Sequence, residues 1–358
     1  MKKTKLGKLK IIRWGLLMLF LLFIQIARSS TQVGEFYSRN IYPMVSSILS
    51  FISSAVPFSM TETTVILIIL FFVIYPIRNK YREKCQNWKV MCLNEGEVLL
   101  WIYVWFYFGW GINYFRQDFY TRLNVEQTQF DKIEFTSFLY SYTDSLNVLY
   151  CSPIDISIRE IESKVKKVYS EFPMEWGLLK PKAFQHPKEP FVSGLYSSVG
   201  VLGYMGPFFC ESHINGELSN LQLPFTYAHE LAHLLGVSSE AEANMWAYFV
   251  CTHSDDPFIR YCGYWGLFPY ILSNAYRLLP KGDYASWLHA VDPSIIKDYQ
   301  AESNYWKDKY SPLIGDIQNA IYDIYLKGNK IPSGTKNYSE VVQYVMSFIR
   351  KSSHYFKN

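Results

Sequence analysis

No cysteine spacing in this chain compels a zinc–thiolate site, no repeat or heptad run of useful length appears, and nothing resembles a nucleic-acid module. Charge is also scarce, at 18% of residues, and the formal +4 comes mostly from lysines near the N-terminus and in one loop. No basic face is left to bind nucleic acid, and the positive charges fit membrane topology instead. What is plentiful is apolar and aromatic surface, 49% and 18% of the 358 residues. A chain of this length can bury one large core or two smaller ones, and so apolar a composition calls for membrane segments.

Three hydrophobic stretches are the predicted transmembrane helices, at about 11–27, 58–77 and 97–115. The first follows the basic lead MKKTKLGKLK and reads as an uncleaved span, with Arg13 at its edge where it can snorkel. The second is expected to end at Pro76 and the charged RNKYREK, and the third is unusually aromatic, VLLWIYVWFYFGWGINYF. Residues 45–58 read as a short helix at the membrane surface or between spans. Lys2, Lys3, Lys5, Lys8 and Lys10 flank the first span, and Arg78, Lys80, Arg82, Lys84 and Lys89 lie between the second and third. The positive-inside rule therefore predicts a cytoplasmic N-terminus and a C-terminal domain outside the bilayer, in the periplasm for a diderm bacterium. Cys85 and Cys92 fall on the inner side, and Cys151, Cys210, Cys251 and Cys262 on the outer. There a Cys251–Cys262 disulfide is one option and free buried thiols the other.

The chemistry concentrates in FTYAHELAHLLGVSSEAEANMWA, residues 225–247. His229 and His233, four apart, share one helical face and can offer one imidazole nitrogen each to a single metal. Glu230 beside them is placed as general base for a metal-bound water. The pattern sits among Phe225, Ala228, Leu231, Ala232, Leu234 and Leu235, where polar side chains need a partner or a metal. Gly236 can end this helix, and Ser238 or Ser239 can cap a second one carrying Glu240 and Asn244 on one face. Glu240 is the expected third ligand and Asn244 the residue orienting a ligand. Glu242 competes for the metal, although Ser239 followed by Glu242 also fits a capping box.

His229-Glu230-x-x-His233 followed by Glu240-x-x-Ala243-Asn244 resembles the glutamate-ligand, gluzincin-like class of zinc peptidases. With the N-terminal hydrophobic segments and the later DPFIRYCGY at 256–264, the chain resembles an uncharacterised family of bacterial membrane proteins with a predicted zinc peptidase domain. The resemblance implies Zn2+ held by His229, His233 and Glu240, with Glu230 as base.

The remaining chain reads as mainly helical, with one or two strands between 194 and 223 beside the motif helix. Tyr261, then His253, are the candidates for stabilising charge on the carbonyl under attack. His213 can approach the site, with a structural or surface role as the favoured reading, and His186 lies in a proline-rich loop. The expected fold is mainly α with a small sheet: a membrane domain, 1–116, and a zincin-like extracytoplasmic domain, 117–358. The expected function is a membrane-anchored zinc hydrolase cleaving peptide or envelope-protein substrates. The alternatives are a noncatalytic zinc-binding envelope sensor or assembly protein, and a cell-wall peptide amidase.

Overall fold

The structure, a computed structural model, describes residues 2–82, 88–331 and 340–352; Cys85 and Lys84 lie outside them. The chain is mostly helical and divides into two compact units, one of residues 1–117 with 206–211 and one of 118–205 with 212–358.

In the first unit the helices are α1 (Lys2–Ser29), α2 (Thr31–Phe36), α3 (Tyr42–Ser54), α4 (Met60–Arg82) and α5 (Trp88–Gly109). Among the described residues, two stretches are long and apolar enough to cross a membrane, Lys8–Ser29 in α1 and Met60–Asn79 in α4. Only 11% and 6% of these windows are buried within the protein, so neither is the core helix of a soluble domain. Pro76 lies inside α4 rather than ending it. A proline removes a single backbone donor, a loss an apolar helix tolerates.

The third expected span takes a different form. Helix is α only to Gly109, a 3-10 turn occupies Gly111–Phe115, and α5 draws its first turns from polar residues including Lys89, Glu95 and Glu97. Two of its aromatic rings pack on α1, where Phe20 meets Trp101 and Phe108 at 6.2 and 5.0 Å between centroids. Arg13 of α1 donates to Glu97 of α5 at 2.9 Å. Gly34 in α2 is required by a close approach, because a Cβ there would stand 2.3 Å from the Phe115 carbonyl oxygen. Glu35 beside it accepts from Arg116 at 3.0 Å and from Arg39 at 2.6 Å, so this buried carboxylate is compensated. The Glu211 carboxylate accepts from the Met60 and Thr61 amides at 3.1 and 2.7 Å and so caps α4.

The second unit holds α6 (Phe119–Leu123), α7 (Lys132–Leu149), α8 (Ile158–Glu171), α9 (Ser193–Ser197) and α10 (Leu223–Leu234). It continues through α11 (Glu240–Thr252), α12 (Pro257–Leu278), α13 (Lys281–His289), α14 (Pro293–Lys309), α15 (Pro312–Gly328) and α16 (Val341–Ser352). Strands β1 (Gly203–Gly206) and β2 (Glu211–Ile214) pair as a two-stranded sheet, and Lys188 bridges to His213 on the far side of β2. Among the described residues, no further strand lies along β1.

Helices α10 and α11 are buried nearly all round and form the centre of this unit. Trp176 stacks on Trp246 at 5.6 Å, with Phe172, Phe249 and Phe348 around them. Cys251 and Cys262 are free thiols, not a disulfide. The close neighbour of the Cys251 Cβ is Gly263, whose missing side chain would stand 2.8 Å away, so the two helices meet beside the Cys262 thiol.

Candidate metal centre

Helix α10 begins with Pro224 in its first turn, a position where the missing N–H costs nothing. It presents His229, Glu230 and His233 within one turn and stops just beyond them. Gly236 adopts φ 99° and reverses the chain, as favoured at a helix C-terminus. The turn brings the Val237 carbonyl 2.8 Å from His233 Nδ1. A carbonyl only accepts, so Nδ1 carries a proton and Nε2 is the nitrogen turned to the cluster.

The same turn leads to Ser239, whose hydroxyl accepts from the Glu242 amide at 3.3 Å and starts α11 with Glu240 at its first position. Glu240 Oε2 lies 3.1 Å from His229 Nε2 and 3.3 Å from His233 Nε2, and the two Nε2 atoms are 3.0 Å apart. These three groups form a cluster that could hold a metal ion. For a tetrahedral zinc with bonds of about 2.0–2.1 Å, ligand atoms stand about 3.3 Å from one another. The observed triangle matches that size. His229 Nδ1 and Glu230 Oε2 are buried and have no hydrogen-bond partner among the described residues.

Electrostatics within the cluster follow from burial and charge. Burial pushes the Glu230 carboxyl up to about 7; the His229 and His233 charges oppose this and the Glu240 charge adds to it. Burial works to lower His233, but the charge and hydrogen bond of Glu240 outweigh it and, with Glu230 and the Val237 carbonyl, lift it to about 9. Glu240 is also opposed by burial, yet the two imidazoles hold it well below the usual carboxylate range. Its second oxygen, Oε1, accepts from the Tyr322 hydroxyl at 2.5 Å.

Other expected residues take other places. The Glu242 carboxylate turns away from the cluster, to the Arg122 guanidinium and to Trp246 Nε1 at 2.9 Å. Asn244 donates to the Tyr270 hydroxyl at 3.2 Å, so the ligand-orienting contact on His233 is the Val237 carbonyl instead. Burial and the charge of Glu240 push Tyr270 up to about 12. His253 is the C-cap of α11, about 20 Å from Glu240 at 1.5 Å per residue, and it stacks on Phe249. Tyr261 is fully buried, edge-on to Tyr150 and against Trp265, nine positions before Tyr270 on α12. Neither His253 nor Tyr261 joins the cluster, because both helices carry them to its far side. His213 is buried, its ring stacked on Tyr204 at 4.2 Å.

Two neighbours had no local signature in the sequence: Tyr322, which arrives on a distant helix, and Gly203. A Cβ at Gly203 would stand 2.8 Å from Glu230 Cγ, 2.9 Å from its Oε1 and 2.8 Å from the His213 carbonyl oxygen. Gly203→Ala is therefore expected to lower stability by about 1–3 kcal/mol through overpacking. Thermal unfolding of the detergent-solubilised protein checks it, and an unchanged melting temperature would refute the close approach.

A family model described as protein of unknown function (DUF3810) matches residues 37–346, most of the chain. The chain belongs to the DUF3810 family. No curated protein and no solved structure matches it. Within its span of the DUF3810 match lie all three cluster residues, Glu230, Gly203 and Tyr322.

Proposed function

We propose that this DUF3810 protein is a membrane-anchored zinc hydrolase of the gluzincin-like class, acting on peptide bonds, with its second unit outside the cytoplasmic membrane. The observation that carries the reading is the convergence of His229 Nε2, His233 Nε2 and Glu240 Oε2 to within 3.0–3.3 Å of one another, with Glu230 next to them in sequence. The donor set fits zinc: two neutral imidazoles and one carboxylate, with a fourth position left for water or substrate. Zinc, when bound, supplies a Lewis acid and brings the pKa of coordinated water toward neutrality.

The chain's own residues account for the rest. Glu230 is the general base: it takes a proton from the attacking water and returns it to the departing amine. Its buried surroundings keep competing solvent away. Strand β1 passes against Glu230 at Gly203, and its open edge supports an extended peptide held by backbone pairing beside the base.

The test uses the full-length protein in detergent, loaded with zinc, against a mixed peptide library. Wild type is expected to cleave, and Glu230→Gln to lose about 10²–10⁴-fold of the rate while retaining zinc. Zinc-loaded wild type that cleaves no peptide would favour the sensor or assembly reading, because such a site has no need of a base. Cleavage confined to cell-wall peptides would favour an amidase.

A further inference from the structure

Glu240 offers two oxygens, and only one faces the imidazoles. Oε2 stands against both Nε2 atoms, and Oε1 is occupied by the Tyr322 hydroxyl at 2.5 Å. Tyr322 comes from α15, 82 residues further along the chain. That helix is lightly anchored, with Gly315 and Leu326 its buried residues, while Leu313, Ile317, Ile321 and Ile324 stand exposed. Tyr322 is thus not drawn in as one member of a packed apolar face. An unheld carboxylate can rotate and present both oxygens to a cation; one whose distal oxygen accepts a phenol O–H cannot do so without losing that bond.

We infer that Tyr322 is a positioning residue for the metal centre, holding Glu240 as a one-oxygen ligand and keeping the fourth position open. This rests on the metal-site reading above and adds to it a control supplied from a remote helix. Outer-shell partners of metal ligands contribute about 10–100-fold in affinity.

The experiment titrates the metal-free full-length protein with Zn2+ against a chelator of known affinity, and in parallel records the visible absorption bands with Co2+. Tyr322→Phe is expected to weaken zinc by about 10–100-fold. Its cobalt bands should also shift and lose intensity as Glu240 Oε1 enters the coordination sphere. Tyr325→Phe, on the ring stacked against Tyr322, is the packing control and should leave both readouts unchanged. Equal zinc affinity and an unchanged cobalt spectrum in Tyr322→Phe would overturn the role of Tyr322 and leave the metal site standing. Equal losses in both variants would assign the effect to helix packing and overturn it too. Wild type that takes up neither metal while correctly folded would remove both readings together.

Discussion

Glu240→Ala is expected to abolish metal binding, and Glu242→Gln to leave it at the wild-type stoichiometry. The two carboxylates are two positions apart on α11, and residues so spaced on a helix point to different sides. Glu240 lies 3.1 and 3.3 Å from the two imidazole nitrogens, whereas Glu242 is paired with Arg122 and Trp246. Removing Glu240 leaves two imidazoles, too few protein ligands for a tight zinc site. The measurement is zinc per chain by emission spectroscopy on the full-length protein in detergent, with circular dichroism to show that each variant is folded. About one zinc in wild type and Glu242→Gln and almost none in Glu240→Ala is the expected result. Loss in a folded Glu242→Gln together with retention in Glu240→Ala would reverse the ligand assignment.

Arg122→Ala is expected to be the most damaging single change to the fold of the second unit. The Arg122 side chain is fully buried and pairs with Glu242, itself nearly so. Breaking a buried pair by removing one partner costs about 3–5 kcal/mol, because the other charge keeps its desolvation penalty and loses its compensation. The joint replacement Arg122→Met with Glu242→Leu should recover most of that loss, since neither charge then remains to be solvated. Denaturation followed by tryptophan fluorescence is a suitable readout, as Trp246 donates to the same carboxylate. A loss below about 1 kcal/mol in Arg122→Ala would mean that the pair behaves like an exposed one.

These two carboxylates also mark how far the sequence could be read. His229, Glu230 and His233 were legible because a single helical turn decides their proximity, and periodicity carries that information. Choosing between Glu240 and Glu242 needed the direction of the turn at Gly236, which spacing alone does not give. The Ser239 cap on the Glu242 amide was readable from their spacing, whereas the partner of the Glu242 carboxylate, Arg122, was not, because a contact across 120 residues leaves no local trace. The same holds for Tyr322, one of 29 tyrosines in the chain.

At the level of the fold, helices with strong patterns were readable, and two of the apolar segments are long enough to span a bilayer. The third segment differs from its expected extent in one respect: its α-helix stops at Gly109 and a 3-10 turn takes over. Tyr261 and His253 were proposed from nearness in sequence, yet helical rise carries them away from the cluster. Strands of four residues each are too short for a period-two pattern to stand out.

The proposed ligands occupy positions 229 to 240, while the tyrosine that clasps one of them lies 82 residues beyond Glu240. During synthesis the chain emerges from its N-terminus, so the whole ligand set leaves the ribosome well before α15 exists. Closing so short a loop costs little entropy, so the three cluster residues can meet without α15. The Tyr322 contact to Glu240 can only follow, once α15 has been made.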